Sequence, residues 1–272
     1  MPGKGLPFAF ERAYNSQAAS DSATLDGPLG YGWTHGYNAS RSVDGSGNVT
    51  IRWGDGKTET YAPNGSGGFT PQYGVFDTLT AVGGGAYNLR KKDLTTYSFG
   101  TTGKLNAITD KNGNAIALTY TGNNLTRVTD TAGRNIDFTY DAGNHIAQIT
   151  DPLSRTVKFG YDGTGNLTSA TDRNGKTTTY TYDGSHQILT ITDPRTNQIV
   201  SNTYDAAKRV VTYQTDAKGG ATNYSYNELD RVTTVTDALS HITVYYHDEL
   251  LRLTKEVDAR GFATQYAYDT AG

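Results

Sequence analysis

The chain has no cysteine and one methionine among 272 residues. Disulfides, cysteine-bound zinc and thiol catalysis are therefore excluded. That suits a cytosolic chain, or a secreted bacterial one stabilised without disulfides. No apolar run approaches the ~18 residues of a membrane-spanning helix, so no membrane insertion is expected. The opening, Met1 to Leu6, lacks the charged and apolar regions of a signal peptide. Only 35% of residues are hydrophobic, and 24 basic residues against 27 acidic ones leave a net charge of −3. Without a basic surplus there is no electrostatic footprint for nucleic acid. No stretch carries a 3.6-residue apolar period long enough for a helix.

What the chain has instead is tyrosine (20 copies), glycine (32 copies) and β-branched residues. These are arranged in a repeat. Aspartate recurs as Asp110, Asp130, Asp151, Asp172, Asp193, Asp216, Asp237 and Asp258, at spacings of 20, 21, 21, 21, 23, 21 and 21. Ten residues after most of them stands a tyrosine: Tyr120, Tyr140, Tyr161, Tyr182, Tyr226 and Tyr268. Tyr204 comes eleven after, and His247 takes the slot in the remaining unit. An apolar residue usually follows six positions later, as in Ile146, Leu167 and Val232. Aromatic residues this regular argue against disorder. A fixed short period means supersecondary units stacked on one another. The last of them breaks off between Tyr268 and Gly272, so the chain reads as a piece of something longer.

Each unit holds two Thr-, Tyr- and aliphatic-rich segments bounded by Asp, Asn and Gly, the pattern of strand, turn, strand and turn. In the first turn the aspartate can accept backbone N–H groups two residues on. Three residues later come Gly113, Gly133, Gly175, Gly219 and Gly261, with Ser154, Ser240 and Thr196 in the other units. Glycine there suggests positive φ. In the second turn Asn124, Asn144, Gly165, His186, Lys208, Asp230, Leu251 and Gly272 hold the position four after the tyrosine slot. Most of these types tolerate the left-handed region, so positive φ is expected there, with strain or a changed turn at Lys208 and Leu251. The unit opening at Asp193 has one extra residue in each half, which predicts bulges or wider turns on both sides. The fold class expected is all-β: a long antiparallel sheet of roughly 16 strands, ~75 Å across, that curls. Tyr, Leu, Ile and Val should line one face, and Thr, Lys and Asp the other.

Residues 1–96 lack the period and hold both tryptophans, Trp33 and Trp53. The segments Asp44 to Asn48 and Gly54 to Lys57 read as hairpin connections. This region is expected to be an atypical β leader that caps about eight repeats spanning 97–272.

The repeated Tyr-Asp, Leu-Thr and Thr-Asp pattern with its following glycine resembles the YD repeat of the Rhs family, shared with the teneurins. The run Lys92 to Asn114 is similar to that family's entry into the repeats. Pro2 to Leu6, Arg12 to Ser16 and Gly27 to Trp33 resemble the domain that precedes bacterial Rhs repeats. The resemblance covers nearly the whole chain. It implies a hollow β-shell that, in bacterial polymorphic toxins, encloses a C-terminal effector. In other relatives it implies a cell-surface protein, and either way a secreted or surface location in bacteria. The family's self-cleaving aspartates belong to a shell-closing motif that this sequence lacks, so none is carried over. Asp151-Pro152 and Asp193-Pro194 are read as turn aspartates.

Other chemistry is sparse. Asp110 to Asn114 and Asp172 to Gly175 resemble calcium loops but lack the distal glutamate, so no metal is expected. His35, His145, His186, His241 and His247 have no metal-ligand spacing and no accompanying nucleophile motif. No phosphate-binding loop opens a helix, and the Asn-X-Ser/Thr sites follow from an Asn- and Thr-rich composition. No cofactor and no catalytic residue is assigned. Three readings stand. The first is a non-catalytic shell segment that encapsulates or presents a C-terminal effector of its own longer polypeptide. The second is a surface adhesion or glycan-binding module. The third is a protein that self-associates through open strand edges. An enzyme ranks last.

Overall fold

Alternating Thr, Tyr and aliphatic residues favour extended backbone, and the described chain is strand after strand joined by tight turns. The computed structural model describes residues 5–20, 26–207 and 210–269. The only helical turn among these is the 3₁₀ segment Ala18–Ser20. Pro2, Gly3, Lys4, Lys208 and Gly272, which bear on the leader motif and the second-turn expectation, lie outside the described residues. The chain forms two units, one of Met1–Asn15 with Ser22–Gly175, the other of Ser16–Asp21 with Lys176–Gly272.

In the first unit the leader contributes Arg12–Tyr14 paired with Trp33–His35, and a meander of Ser40–Val43, Val49–Arg52, Thr58–Pro63 and Phe69–Pro71. Both expected hairpin connections are present, with Val43 opposite Val49 and Arg52 opposite Thr58. An antiparallel ladder begins at Thr78–Gly83 and continues through Ala86–Arg90, Thr96–Phe99 and Leu105–Thr109 into the repeats, as far as Leu167–Thr171. The second unit carries the same hairpin succession from Thr177–Tyr182 to Ala263–Gln265. Among the described residues the two units hold nineteen ladder strands, against the sixteen read from the period: fifteen follow Asp110, and four lie upstream, where the hairpins persist without the Asp-to-Tyr period.

Strand alternation sorts the faces. In Ala115–Thr121, Ile116 and Leu118 are buried with Tyr120 on their side, while Ala117 and Thr119 are exposed. Ile136, Phe138 and Phe159 repeat that inward face, and Lys158 points out. The partner strands bury residues three apart: Leu125 with Val128, Ile146 with Ile149, Leu167 with Ala170. A β-bulge explains the odd spacing. Tyr161 faces Leu167 but Gly160 faces Ser169, so Thr168 is an extra residue that resets the alternation. The leader lies on the inward face of this unit: the Phe10 ring is 5.8 Å from Phe138 and 6.3 Å from Phe159. In the second unit Tyr180 and Ile188 are buried in the same way, while the later equivalents Val211, Val232, Val235 and Leu253 are only half-buried.

Candidate functional site

The repeated feature with the most side-chain chemistry is the turn. Asp130 shows how it is built. Its backbone N–H bonds the Arg134 carbonyl and its carbonyl accepts from Gly133 N–H, closing a five-residue loop. One carboxylate oxygen accepts the N–H groups of Ala132 and Arg134, each at 2.9 Å. The other takes the Arg134 guanidinium at 2.7 Å. Burial opposes ionisation of Asp130, but the bonds from Arg134 and the turn amides outweigh it and hold its pKa below the usual carboxylate value. At Asp110 the Asn114 side chain leads the same downward shift. These oxygens are occupied by donors, the opposite of a cation's demand, and no metal-holding cluster of His, Asp or Glu exists among the described residues.

The left-handed position falls where expected in every first turn, including Ser154 (φ 60°), Thr196 (φ 66°) and Ser240 (φ 65°). In the second turns Asn144, Gly165, His186 and Leu251 have positive φ, Leu251 at 59° with an exposed apolar side chain. Asn124 and Asp230 do not. After Tyr120 the loop shrinks to Gly122-Asn123 between the paired Thr121 and Asn124, and Gly122 takes the positive φ. That shorter loop accounts for the 20-residue spacing. After Tyr226 the capping position is Asn227, the loop widens to four residues, and Arg231 takes the positive φ of 54°. In the unit opening at Asp193 one extra residue makes a bulge between Ile191 and Thr192, and the other widens the second turn to span Asp205 to Val210.

Reasoning from sequence gave no capping role to the aspartate that follows the tyrosine. Asp141, Asp162, Asp183 and Asp248 cap the second turn just as the others cap the first; Asp141 accepts Gly143 and His145 N–H at 2.9 Å each. Both turns of the hairpin thus use one device. The recurring threonine after the apolar residue was likewise given no role. Thr126, Thr168, Thr212 and Thr254 occupy the bulge and donate their hydroxyls to the facing strand's carbonyl, at 3.1–3.2 Å.

The tyrosines do more than fill a face. In the first unit Tyr120, Tyr140 and Tyr161 donate to the carbonyls of Leu105, Leu125 and Ile146, each fifteen residues back, at 2.9, 3.0 and 2.9 Å. In the second unit Tyr204, Tyr226 and Tyr268 donate to the carbonyls of Ile188, Val211 and Leu253, sixteen, fifteen and fifteen residues back. His247 substitutes with its Nδ1, 3.2 Å from the Arg231 carbonyl. Tyr182 ends the strand Thr177–Tyr182 in the same slot. Burial, only partly offset by the Leu125 bond, raises the Tyr140 pKa to about 12, so this phenol stays a protonated donor. Within each unit these tyrosines thereby stitch a repeat to the one before it by a bond that a phenylalanine could not make.

The leader is fastened to the repeats of its own unit by main-chain bonds: Arg41 N–H to Gly103 carbonyl at 2.7 Å, and Ile146 N–H to Pro28 carbonyl at 2.7 Å. Beside the second, His145 Nε2 lies 2.6 Å from Asp26 while its ring stacks on Tyr161. A separate cluster surrounds Glu59, which is 3% exposed: Lys57 at 2.8 Å, Tyr61 hydroxyl at 3.2 Å, and Lys91, which also pairs with Asp77 at 2.6 Å. Burial works against the Glu59 charge, but Lys57, Trp53 and Lys91 lower its pKa overall. Carboxylates and ammoniums neutralise one another there.

Comparison with known proteins agrees with this repeat architecture. The profile described as RHS Repeat matches residues 120–156, 161–198 and 204–241. A profile described as Domain of unknown function (DUF6531) matches residues 1–61. No curated protein matches the chain. Among solved structures, the Photorhabdus luminescens Tc holotoxin pore aligns at 14% identity and a TM-score of 0.43, covering 82% of this chain and 14% of that one. The TcdB2-TccC3-TEV crystal structure aligns at 13% identity and a TM-score of 0.42, covering 88% of this chain and 16% of that one. This chain therefore spans about a seventh of the length of those structures. No catalytic family is indicated. With leader and repeat profiles in sequence order over most of its length, the chain belongs to the Rhs/YD-repeat family.

Proposed function

We propose that this chain is a non-catalytic wall segment of an Rhs β-shell, working outside the bacterial cell or on its surface. In this reading it encloses or presents an effector carried by the same longer polypeptide. The observation that carries the reading is the contrast between the two inward faces. In the first unit Phe138 and Phe159 are buried, with the leader's Phe10 against them. In the second, Tyr180 and Ile188 are buried, but the later Val211, Val232, Val235 and Leu253 stand half-open. Apolar surface of that kind calls for further chain to cover it. Stitched repeats supply a stiff wall.

The test is limited proteolysis of the longer polypeptide that carries this segment. An effector within the shell resists protease while the wall is intact and becomes sensitive when Tyr140→Ala and Tyr161→Ala break the stitching. Equal digestion of the effector in both proteins would contradict enclosure.

A further inference from the structure

The first turn of each repeat opens on an aspartate that caps its own loop. The turn after Ala86–Arg90 departs from that pattern. Lys91 N–H bonds the Thr95 carbonyl and the Lys91 carbonyl accepts from Leu94 N–H, the same five-residue loop, so a lysine stands where the aspartate would. The cap comes instead from Asp93, which accepts Thr95 N–H at 2.9 Å. The Lys91 side chain takes no part in the turn and reaches across to the neighbouring strand.

Its target is Asp77. The ladder pairs Arg90 with Thr78, and Lys91 and Asp77 are the next residues outward on those two strands. Lys91 Nζ lies 2.6 Å from Asp77 Oδ2, with the Asp77 side chain 12% exposed. Trp53 covers the nitrogen at 4.0 Å from its ring centroid, and Tyr97 stands edge-on to Trp53 at 4.9 Å. A third strand brings Glu59, whose Oε2 is 3.9 Å from the same nitrogen and accepts the hydroxyl of the fully buried Tyr61 at 3.2 Å. Burial opposes the Glu59 charge, but Lys57, Trp53 and Lys91 keep its pKa low, so it is present as a proton acceptor. An ion pair needs only the contact between Lys91 and Asp77. The addition of a buried carboxylate and an aromatic cover makes a set of amine, carboxyl and base. Groups held in contact this way react as one molecule rather than two.

From this we infer that Lys91 and Asp77 condense into an intramolecular isopeptide bond, with Glu59 carrying the proton. Glu59 takes a proton from the Lys91 ammonium. The neutral amine attacks Asp77 Cγ, the C–N bond forms and one Cγ–Oδ bond breaks. Two of the ammonium protons leave with that oxygen as water, the third stays on the amide, and the two charges cancel. No oxidant or activating group is needed. The water departs through a cleft of about 520 Å³ that Glu59, Asp77 and Lys91 help to line. The reaction happens once, within the chain, and turns over no substrate. It does not depend on enclosure, since all three residues lie in the first unit. In a chain without cysteine the bond does the work of a disulfide, closing the open end of the hairpin that starts the ladder.

The experiment is intact-mass spectrometry of the whole chain, purified folded and then denatured. The wild-type chain should be lighter than its sequence by one water, and a tryptic digest should contain one branched peptide joining the segments around Asp77 and Lys91. Lys91→Arg keeps the positive charge beside Asp77 and should show the full sequence mass. Glu59→Gln keeps the shape of the side chain and should condense about a hundredfold more slowly, the consequence of losing a general base, in a time course sampled from cell-free synthesis onward. Circular dichroism establishes that each variant is folded, and the wild-type mass and branched peptide decide the bond even where a variant does not fold. Full sequence mass in the folded wild type, the same loss of water in Lys91→Arg, or condensation of Glu59→Gln at the wild-type rate would overturn the inference.

Discussion

Replacing Tyr140 by phenylalanine removes one oxygen atom and leaves the ring in place. The lost bond is 3.0 Å long and ends on the Leu125 carbonyl, in a residue 4% exposed. A typical bond contributes ~1 kcal/mol net, and a buried carbonyl left without its donor costs ~1–3 kcal/mol. Tyr140 is half-buried, so water reaches part of the gap and the loss should be about 1.5 kcal/mol. For a chain of this size that lowers the melting temperature by about 3–6 °C. The control is Tyr213→Phe: Tyr213 is 39% exposed and faces away from the stitched row. Its loss should stay within ~0.5 kcal/mol. Thermal melts followed by far-ultraviolet circular dichroism, with urea titrations beside them, read both. If the two variants melt together, the tyrosine hydroxyls do not stitch the repeats and the reasoning fails.

Four further outcomes follow from the same geometry. Leu251→Asn should stabilise by up to ~1 kcal/mol in urea, because a leucine at φ 59° is strained and its exposed side chain packs little. Asp130→Ala should lose about 2–3 kcal/mol in the same titration, since both turn amides and Arg134 lose their acceptor. His247→Tyr should raise the melting temperature by a few degrees, with a gain of ~1 kcal/mol, by restoring the phenol to a slot beside a cavity of about 360 Å³. His35 governs acid sensitivity. The unfolded chain protonates this ring below 6.5 while the folded chain refuses the proton down to about 3. Stability should therefore fall on acidification through that window by ~1.4 kcal/mol per pH unit, and His35→Phe should flatten the fall. The turn carboxylates of Asp130, Asp151 and Asp162, with lowered pKa, keep their contribution above 3.8 and lose it at lower pH, so the fall due to His35 is read between 6.5 and 3.8.

The period of aspartate, tyrosine and apolar residue was enough to read the hairpin array and every first-turn position of positive φ. It was enough because backbone sterics and Asx capping act within five residues, where sequence is directly informative. Asn124 and Asp230 were misread because loop length is decided by which residue caps the turn. Thr121 and Asn227 stand where an aspartate would otherwise set the five-residue loop. The bulge threonines and the tyrosine bonds to carbonyls fifteen residues back stayed hidden for a different reason. They join adjacent strands, and only the register shows which atoms meet. The strands from Thr78 to Arg90 were read only as part of an atypical β leader, because Lys91 opens the turn after them in place of aspartate. The cluster of Lys91, Asp77 and Glu59 arises where the leader's meander meets the ladder, which no single-chain pattern reports.

The central claim, that stitched YD repeats form a wall around an enclosed space, is tested most directly by electron cryomicroscopy of the longer polypeptide carrying this segment. The account predicts a hollow β-shell with the tyrosine face inward and additional density inside, against Val211, Val232 and Leu253. A flat or filamentous sheet, or an empty inner face turned to solvent, would contradict it.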